Sequence, residues 1–229
     1  ITIGDWSSDV CSSDLDKQLL ISTGVVENSS GSAYVELGNM KIICSVHGPR
    51  DTFLTKGVNE KGAIVCDFKF APFSRKEHGS GGETRESRSL SALLEKTILS
   101  TVDLDSFPKA VVELYIRVLE VDGDPFGLSL MCASLALTDA GINLYGLLGC
   151  CCVGVMKDNS IITNPTTEEL SEAKCSTTLA IINSTKEIVY VSHSGAVTPE
   201  ICTMSVSKAV EESARLCLMM RDYLLQVQA

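Results

Sequence analysis

Asp122 and Asp124 stand two residues apart in the stretch DGDPF, at the head of a run from Pro125 to Thr138 without a charged residue. Paired carboxylates there could act as acid and base or cap a helix. A helix N-terminus beginning at Pro125 could hold an anion. Asp103 and Asp105 form a second pair, ahead of the turn residues Ser106-Phe107-Pro108. Both pairs also read simply as loop and cap residues. His47, His78 and His193 are isolated, with no Cys or Ser partner at a suggestive spacing, and no GxSxG elbow supports a Ser-His-Asp triad. There is no P-loop and no GxGxxG. The ten cysteines include Cys150-Cys151-Cys152 but no CxxC and no Cys/His spacing of a zinc site. Three adjacent strand residues alternate faces and make a poor metal cage, so the thiols read as reduced, small hydrophobes. No metal and no cofactor is expected.

The elements that position these groups follow from periodicity. Asp124 suits an N-cap, Pro125 the first helical position and Gly141 the left-handed residue beyond the far end. The helix between, about 24 Å long, is apolar nearly all round and must be buried. SAYVEL at 32–37 and KIICSVH at 41–47 flank Gly38-Asn39 as a hairpin, and Ala63–Phe70 is a third strand. A polar loop over 71–83 precedes an amphipathic helix over 85–102, with Leu90, Leu93, Leu94 and Ile98 inward. Strand 110–121 alternates Val112, Leu114, Ile116 and Val118 with Glu113, Tyr115 and Arg117. Further on come one or two strands within 143–156, a short strand at 160–163, a polar helical turn at 166–173 and a hairpin of 176–182 with 188–194. Thr198-Pro199 opens a long helix whose inner face carries Cys202, Val206, Ala209, Leu216, Met220 and Leu224. This is an α/β domain with sheet and helices in layers.

Composition narrows the function. The 229 residues are 45% hydrophobic with mean hydropathy +0.19, and no apolar run reaches membrane length. Residues 1–15, ITIGDWSSDVCSSDL, hold a near repeat and the only Trp. They resemble translated sequencing-adapter read-through and are expected to be non-native, leaving 16–229 as the domain. The net charge is −10, or −7 without Asp5, Asp9 and Asp14. A stand-alone nucleic-acid binder is usually basic, so any contact with nucleic acid needs a local patch or partners.

Several blocks carry a resemblance: GSAYVELGNMKIICSVHGPRD at 31–51, CDFKFAPFSRKEHG at 66–79, FPKAVVELYIRVLEVDGD at 107–124, SLALTDAGINLY at 134–145 and NPTTEEL at 164–170. In collinear order over about 20–228 they resemble the RNase PH family. Within it the likeness is greatest to the exosome ring subunit of the mRNA-transport-regulator type. The resemblance implies an RNase PH-like, ribosomal protein S5 domain 2-like α/β fold. It also implies a six-membered hetero-oligomeric ring of RNase PH-like subunits, RNA-binding cap subunits, and RNA passing through the channel. No membrane partner is implied. The implied localisation is nucleus, nucleolus and cytoplasm, and the ancestral reaction is phosphorolysis of RNA from its 3′ end.

That reaction holds phosphate as nucleophile beside the scissile phosphodiester, so it needs cationic help and an acid or metal-binding carboxylate for the leaving oxygen. Active relatives carry Asp-Gly-Gly-Thr-Arg at the helix entrance. Here Asp124 replaces a Gly, Pro125 removes an N–H, and Phe126 stands at the Arg position. Two aspartates of the active pattern fall at Leu170 and Ser176, and Asn164 replaces a further Asp, with Glu168, Glu169 and Glu172 the imperfect substitutes nearby. The resemblance therefore implies a catalytically silent subunit with no catalytic residue. Arg50, Arg75, Lys76, Arg85 and Arg88 are its candidate RNA contacts, set among interleaved glutamates that would equally make them solvated surface charge. The alternatives are an active phosphate-dependent exoribonuclease, and an unrelated small-molecule α/β enzyme using the Asp122–Phe126 entrance.

Overall fold

A computed structural model describes residues 19–51, 61–75 and 84–227. The segment 1–15, with Lys76 and His78, lies outside these. Among the described residues, two sheets carry four α-helices. The first sheet runs β1-β2-β3-β5-β4, with β1 Leu19–Thr23, β2 Gly31–Leu37, β3 Met40–Asp51, β4 Ala63–Phe70 and β5 Ala110–Glu120. The second runs β7-β6-β8-β9, with β6 Leu148–Val155, β7 Ile161–Thr163, β8 Cys175–Ile182 and β9 Ile188–Gly195. Among the described strands only β4 and β5 pair in parallel, with α1 Arg85–Leu99 between them in the chain. The other helices are α2 Pro125–Asp139, α3 Thr167–Glu172 and α4 Pro199–Val227.

The helix read as buried all round is so because both sheets cover it. Helix α2 packs on β2 and β3 on one side and on β6 on the other, and every residue from Phe126 to Leu137 is buried. Asp124 is its N-cap, and Gly141 follows with φ +73 in the left-handed region. Helix α4 covers the far face of β6 and β8, so β6 is buried on both faces along its length. That explains the triple cysteine. Thr178, facing Cys152 across the β6–β8 ladder, hydrogen-bonds Asp124 at the head of α2. Strand alternation therefore turns Cys150 and Cys152 towards α2 and Cys151 towards α4. All three thiols are buried and serve as small packing groups. Burial first, then the Asp124 carboxylate, pushes the Cys150 thiol well above its usual range.

The structure corrects several expectations. Strand β1 was not foreseen; of the one or two strands read within 143–156, the structure has one, β6. Leu93 is exposed. The inward stripe of α1 is Ser87, Leu94, Thr97 and Ile98, and Leu93 lies about 100° off it. In α4 the buried stripe is Ser205, Ala209, Ser213, Leu216, Cys217, Met220 and Tyr223, while Cys202, Val206 and Leu224 are only half-buried. Serines let the helix approach the sheet closely, which a stripe drawn from apolar residues alone overlooks. No described helix is long and apolar enough to cross a membrane.

Candidate functional site

The mouth of α2 is built from three elements. Gly123 has φ +120, and a Cβ there would stand 2.5 Å from the Pro165 carbonyl oxygen, so the turn into the helix requires glycine. The Gly123 amide donates to Thr167 Oγ1 (2.9 Å), and the Thr167 amide donates to Asp122 Oδ1 (3.1 Å). Asn39, in the β2–β3 turn, donates to Asp122 Oδ2 (3.0 Å). Helix α3, whose N-cap Thr166 and Glu169 form a capping box, is thereby tied to the head of α2.

Asp124 is fully engaged. Its Oδ1 accepts from the Phe126 amide (3.1 Å) and its Oδ2 from Thr178 Oγ1 (2.6 Å). A carboxylate of the chain thus occupies the helix N-terminus where an external anion would bind. Phe126 turns away: it is 3% exposed and packs on Tyr190 of β9, with ring centroids 4.4 Å apart. The small cavity at the mouth, about 30 Å³, has room for a water or two. Asp122, Asp124, Gly127, Cys150, Cys152 and Asn164 are among its walls, and among the described residues no Lys or Arg lines it. Asn164 has φ +47 and exchanges hydrogen bonds with the backbone of Cys152, a structural use of the position.

Ser176 and Leu170 lie on two of the elements that meet at the head of α2. Ser176 lies two residues before Thr178 on β8 and so shares its face, about 7 Å away along the strand. Leu170, half-buried on α3, is one turn beyond Thr167. The partners Thr178, Thr167, Asn39 and Tyr190 were not picked out from the sequence. Strand alternation outward from Ser176 is the signal that could have found Thr178.

The basic residues separate into two places. Arg75 follows the loop that leaves β4, and its neighbour Ser74 accepts through its carbonyl from the Val121 amide, beside the mouth. Its guanidinium pairs with Glu86 of α1 (2.6 Å) and lies 4.0 Å over the Phe70 ring. Arg85 and Arg88 are exposed on the first turn of α1, at this same end. Arg50 pairs with Val111 across the β3–β5 ladder, beside Ala63 at the start of β4. It is therefore about 23 Å away along the strands.

Asp124→Ala removes the cap and leaves Thr178, 8% exposed, without its acceptor. The expected cost is about 2–3 kcal/mol, read as a lower midpoint in urea unfolding.

Comparison with known proteins is consistent with this geometry. Residues 16–143 match the sequence model of the 3′ exoribonuclease family, domain 1 (RNase_PH). The chain is 32% identical over 210 residues to the "Exosome complex component RRP41-like" of Arabidopsis thaliana, covering 90% of this chain and 79% of that protein. It is 34% identical over 171 residues to the "Putative exosome complex component RRP41" of Caenorhabditis elegans, covering 73% and 70%. Rice Rrp46 superposes with a TM-score of 0.82 at 21% identity, covering 91% of this chain and 95% of that one. The Archaeoglobus fulgidus exosome with RNA bound to the active site gives 0.75 at 19% identity, covering 87% of each chain. A chance origin for the collinear motifs, which an unrelated small-molecule enzyme would require, is excluded by these matches.

Proposed function

The chain belongs to the RNase PH family of 3′ exoribonucleases, and on that premise we propose that it is a non-catalytic ring subunit of the RNA exosome. In this reading it completes a ring of RNase PH-like subunits, supports 3′-to-5′ RNA processing and degradation by the complex, docks cap subunits and helps line the RNA path. The observation that carries the silent assignment is the mouth of α2. Its anion position is filled by the Asp124 carboxylate, no described cation lines it, and Phe126 is buried against Tyr190. A phosphate brought there would meet two carboxylates and no compensating charge, and Pro125 withholds a backbone donor. Arg75, Arg85 and Arg88 sit on the loop and helix at the same end of the first sheet as the mouth, a position suited to contacting an RNA backbone rather than a catalytic phosphate. Lys76, next to Arg75 in sequence, joins them as a proposed contact. Arg50, at the opposite end of the sheet, would touch RNA only on a separate stretch of its path.

The rival reading is an active phosphate-dependent exoribonuclease. It draws on the family's description and on the archaeal relative with RNA at its active site. The two readings are separated in the reconstituted ring with every other subunit inactivated, supplied with a short RNA and inorganic phosphate. The silent reading expects no nucleoside diphosphate, and clear release would replace it with the rival.

A further inference from the structure

Three of the helices begin just after a threonine: α1 after Thr84, α3 after Thr166 and α4 after Thr198. Two of these hydroxyls cap their helix. Thr84 Oγ1 accepts from the Ser87 amide (3.2 Å) and Thr166 Oγ1 from the Glu169 amide (3.3 Å). Thr198 does not. Its carbonyl accepts from the Cys202 amide (3.0 Å), which puts it at the N-cap, but its hydroxyl makes no hydrogen bond with any described residue. The first-turn amides of Glu200 and Ile201 also have no acceptor among the described residues. The nearby hydroxyls are engaged: Thr203 donates to the Pro199 and Glu200 carbonyls (3.0 and 2.8 Å), and buried Ser205 donates to the Cys202 carbonyl (2.8 Å). Thr198 is exposed, at the end of the irregular segment 196–198 between β9 and α4. The sequence marks the same residue. Of the six prolines, Pro199 alone follows a serine or threonine.

We propose that Thr198 is a phosphorylation site for a proline-directed serine/threonine kinase, and that the phosphate supplies the cap that the start of α4 lacks. The proposal is independent of the ring-subunit reading. In the reaction the γ-phosphoryl group of ATP passes to Thr198 Oγ1, the bond to the ADP oxygen breaks, and the hydroxyl proton goes to the kinase's carboxylate base. Such a kinase takes its acceptor from an extended segment. It selects a following proline because that residue has no N–H and a fixed φ. Residues 196–198 are outside both the β9 ladder and the helix, and the Thr198 hydroxyl has no bond to give up. Once formed, the phosphate brings a charge near −2 and three acceptor oxygens to the N-cap. The free amides of the first turn and the positive end of the helix then stabilise it. Glu200 adds a like charge there, but it is exposed and screened by solvent. Helix α4 covers β6 and β8, so fixing its first turn tightens the junction that carries the chain from the second sheet into its cover.

Mass spectrometry of the full chain isolated from the cells that make it tests the site. The tryptic peptide Glu187–Lys208 should carry one phosphate, placed by fragmentation on Thr198 and not on Ser192, Ser194 or Thr203. Treating the purified full chain with a proline-directed kinase and ATP should give the same product, and Thr198→Ala should lose it. Unfolding in urea tests the cap. Thr198→Ala in the unmodified chain should leave the midpoint where it was, because the hydroxyl makes no bond, whereas Thr166→Ala removes a working cap and should lower it. The phosphorylated chain should unfold at a higher midpoint than the unmodified one. Absence of phosphate from Thr198 in the native chain, or its placement on another residue, overturns the site whatever a kinase does to the purified chain. A midpoint unchanged or lowered by phosphorylation overturns the capping role.

Discussion

Phe126→Arg alone is expected to give no detectable phosphorolysis. The position is 3% exposed and packed on Tyr190, so the new guanidinium must either be buried without a partner or displace that contact. Asp124 still presents a carboxylate to the mouth and Pro125 still lacks its N–H. Adding Asp124→Gly and Pro125→Thr should open the helix N-terminus and recover phosphate or sulfate binding, measurable by calorimetry. It should also cost stability, since Thr178 loses its acceptor. Turnover should need Leu170→Asp and Ser176→Asp as well, because groups that act as a unit fail together and one repaired member gives almost nothing. The assay is phosphate-dependent release of nucleoside diphosphates from a short RNA in the complete ring. Measurable turnover by the Phe126→Arg single variant would show that the mouth is less damaged than its geometry implies.

Gly31→Ala should be the most disruptive single-methyl change in the chain's N-terminal half. A Cβ at Gly31 would stand 2.3 Å from the Ala140 amide nitrogen and 2.6 Å from the Ala136 carbonyl oxygen, both backbone atoms at the C-terminal end of α2. Neither can move without shifting the helix that both sheets clasp, so the expected cost is about 3 kcal/mol or more. Ser32 next door donates its amide to Asp139 Oδ2 (2.8 Å), and that bond would be strained by the same shift. Gly141→Ala is the matched control. Gly141 has φ +73 but nothing within 4 Å of its Cβ position, so the change meets only backbone strain, about 1 kcal/mol. Urea unfolding of the two variants should separate them clearly, and equal midpoints would mean that the close approach of β2 to α2 is not rigid.

The local parts of this protein were legible because each rests on short-range rules. Alternation in 110–120, the Gly38-Asn39 turn, and the Asp124 cap with Pro125 and Gly141 all follow from backbone geometry within a few residues. The all-apolar stretch after Pro125 required burial, and it is buried. The residue types at Asp124, Pro125, Phe126, Leu170 and Ser176 were visible too, since side-chain chemistry is written in the sequence whatever the fold.

What covers each face was not legible. Leu93 was misassigned and the serines of α4 were overlooked because exposure depends on which sheet a helix leans on, and that contact is made by residues far away in the chain. Arg50 and Arg75 are close in sequence and share a charge, yet β4 holds them at opposite ends of a sheet. Asp124 could be read as a cap, but its second bond, to Thr178, joins residues 54 positions apart and exists only when β8 is laid against the head of α2. The sequence by itself determined most of the local elements and the residue types at the entrance of α2. Only the tertiary structure decided that the Asp124 carboxylate at the head of α2 is held by Thr178 of β8 and that Phe126 packs on Tyr190, because long-range packing alone selects each side chain's partner.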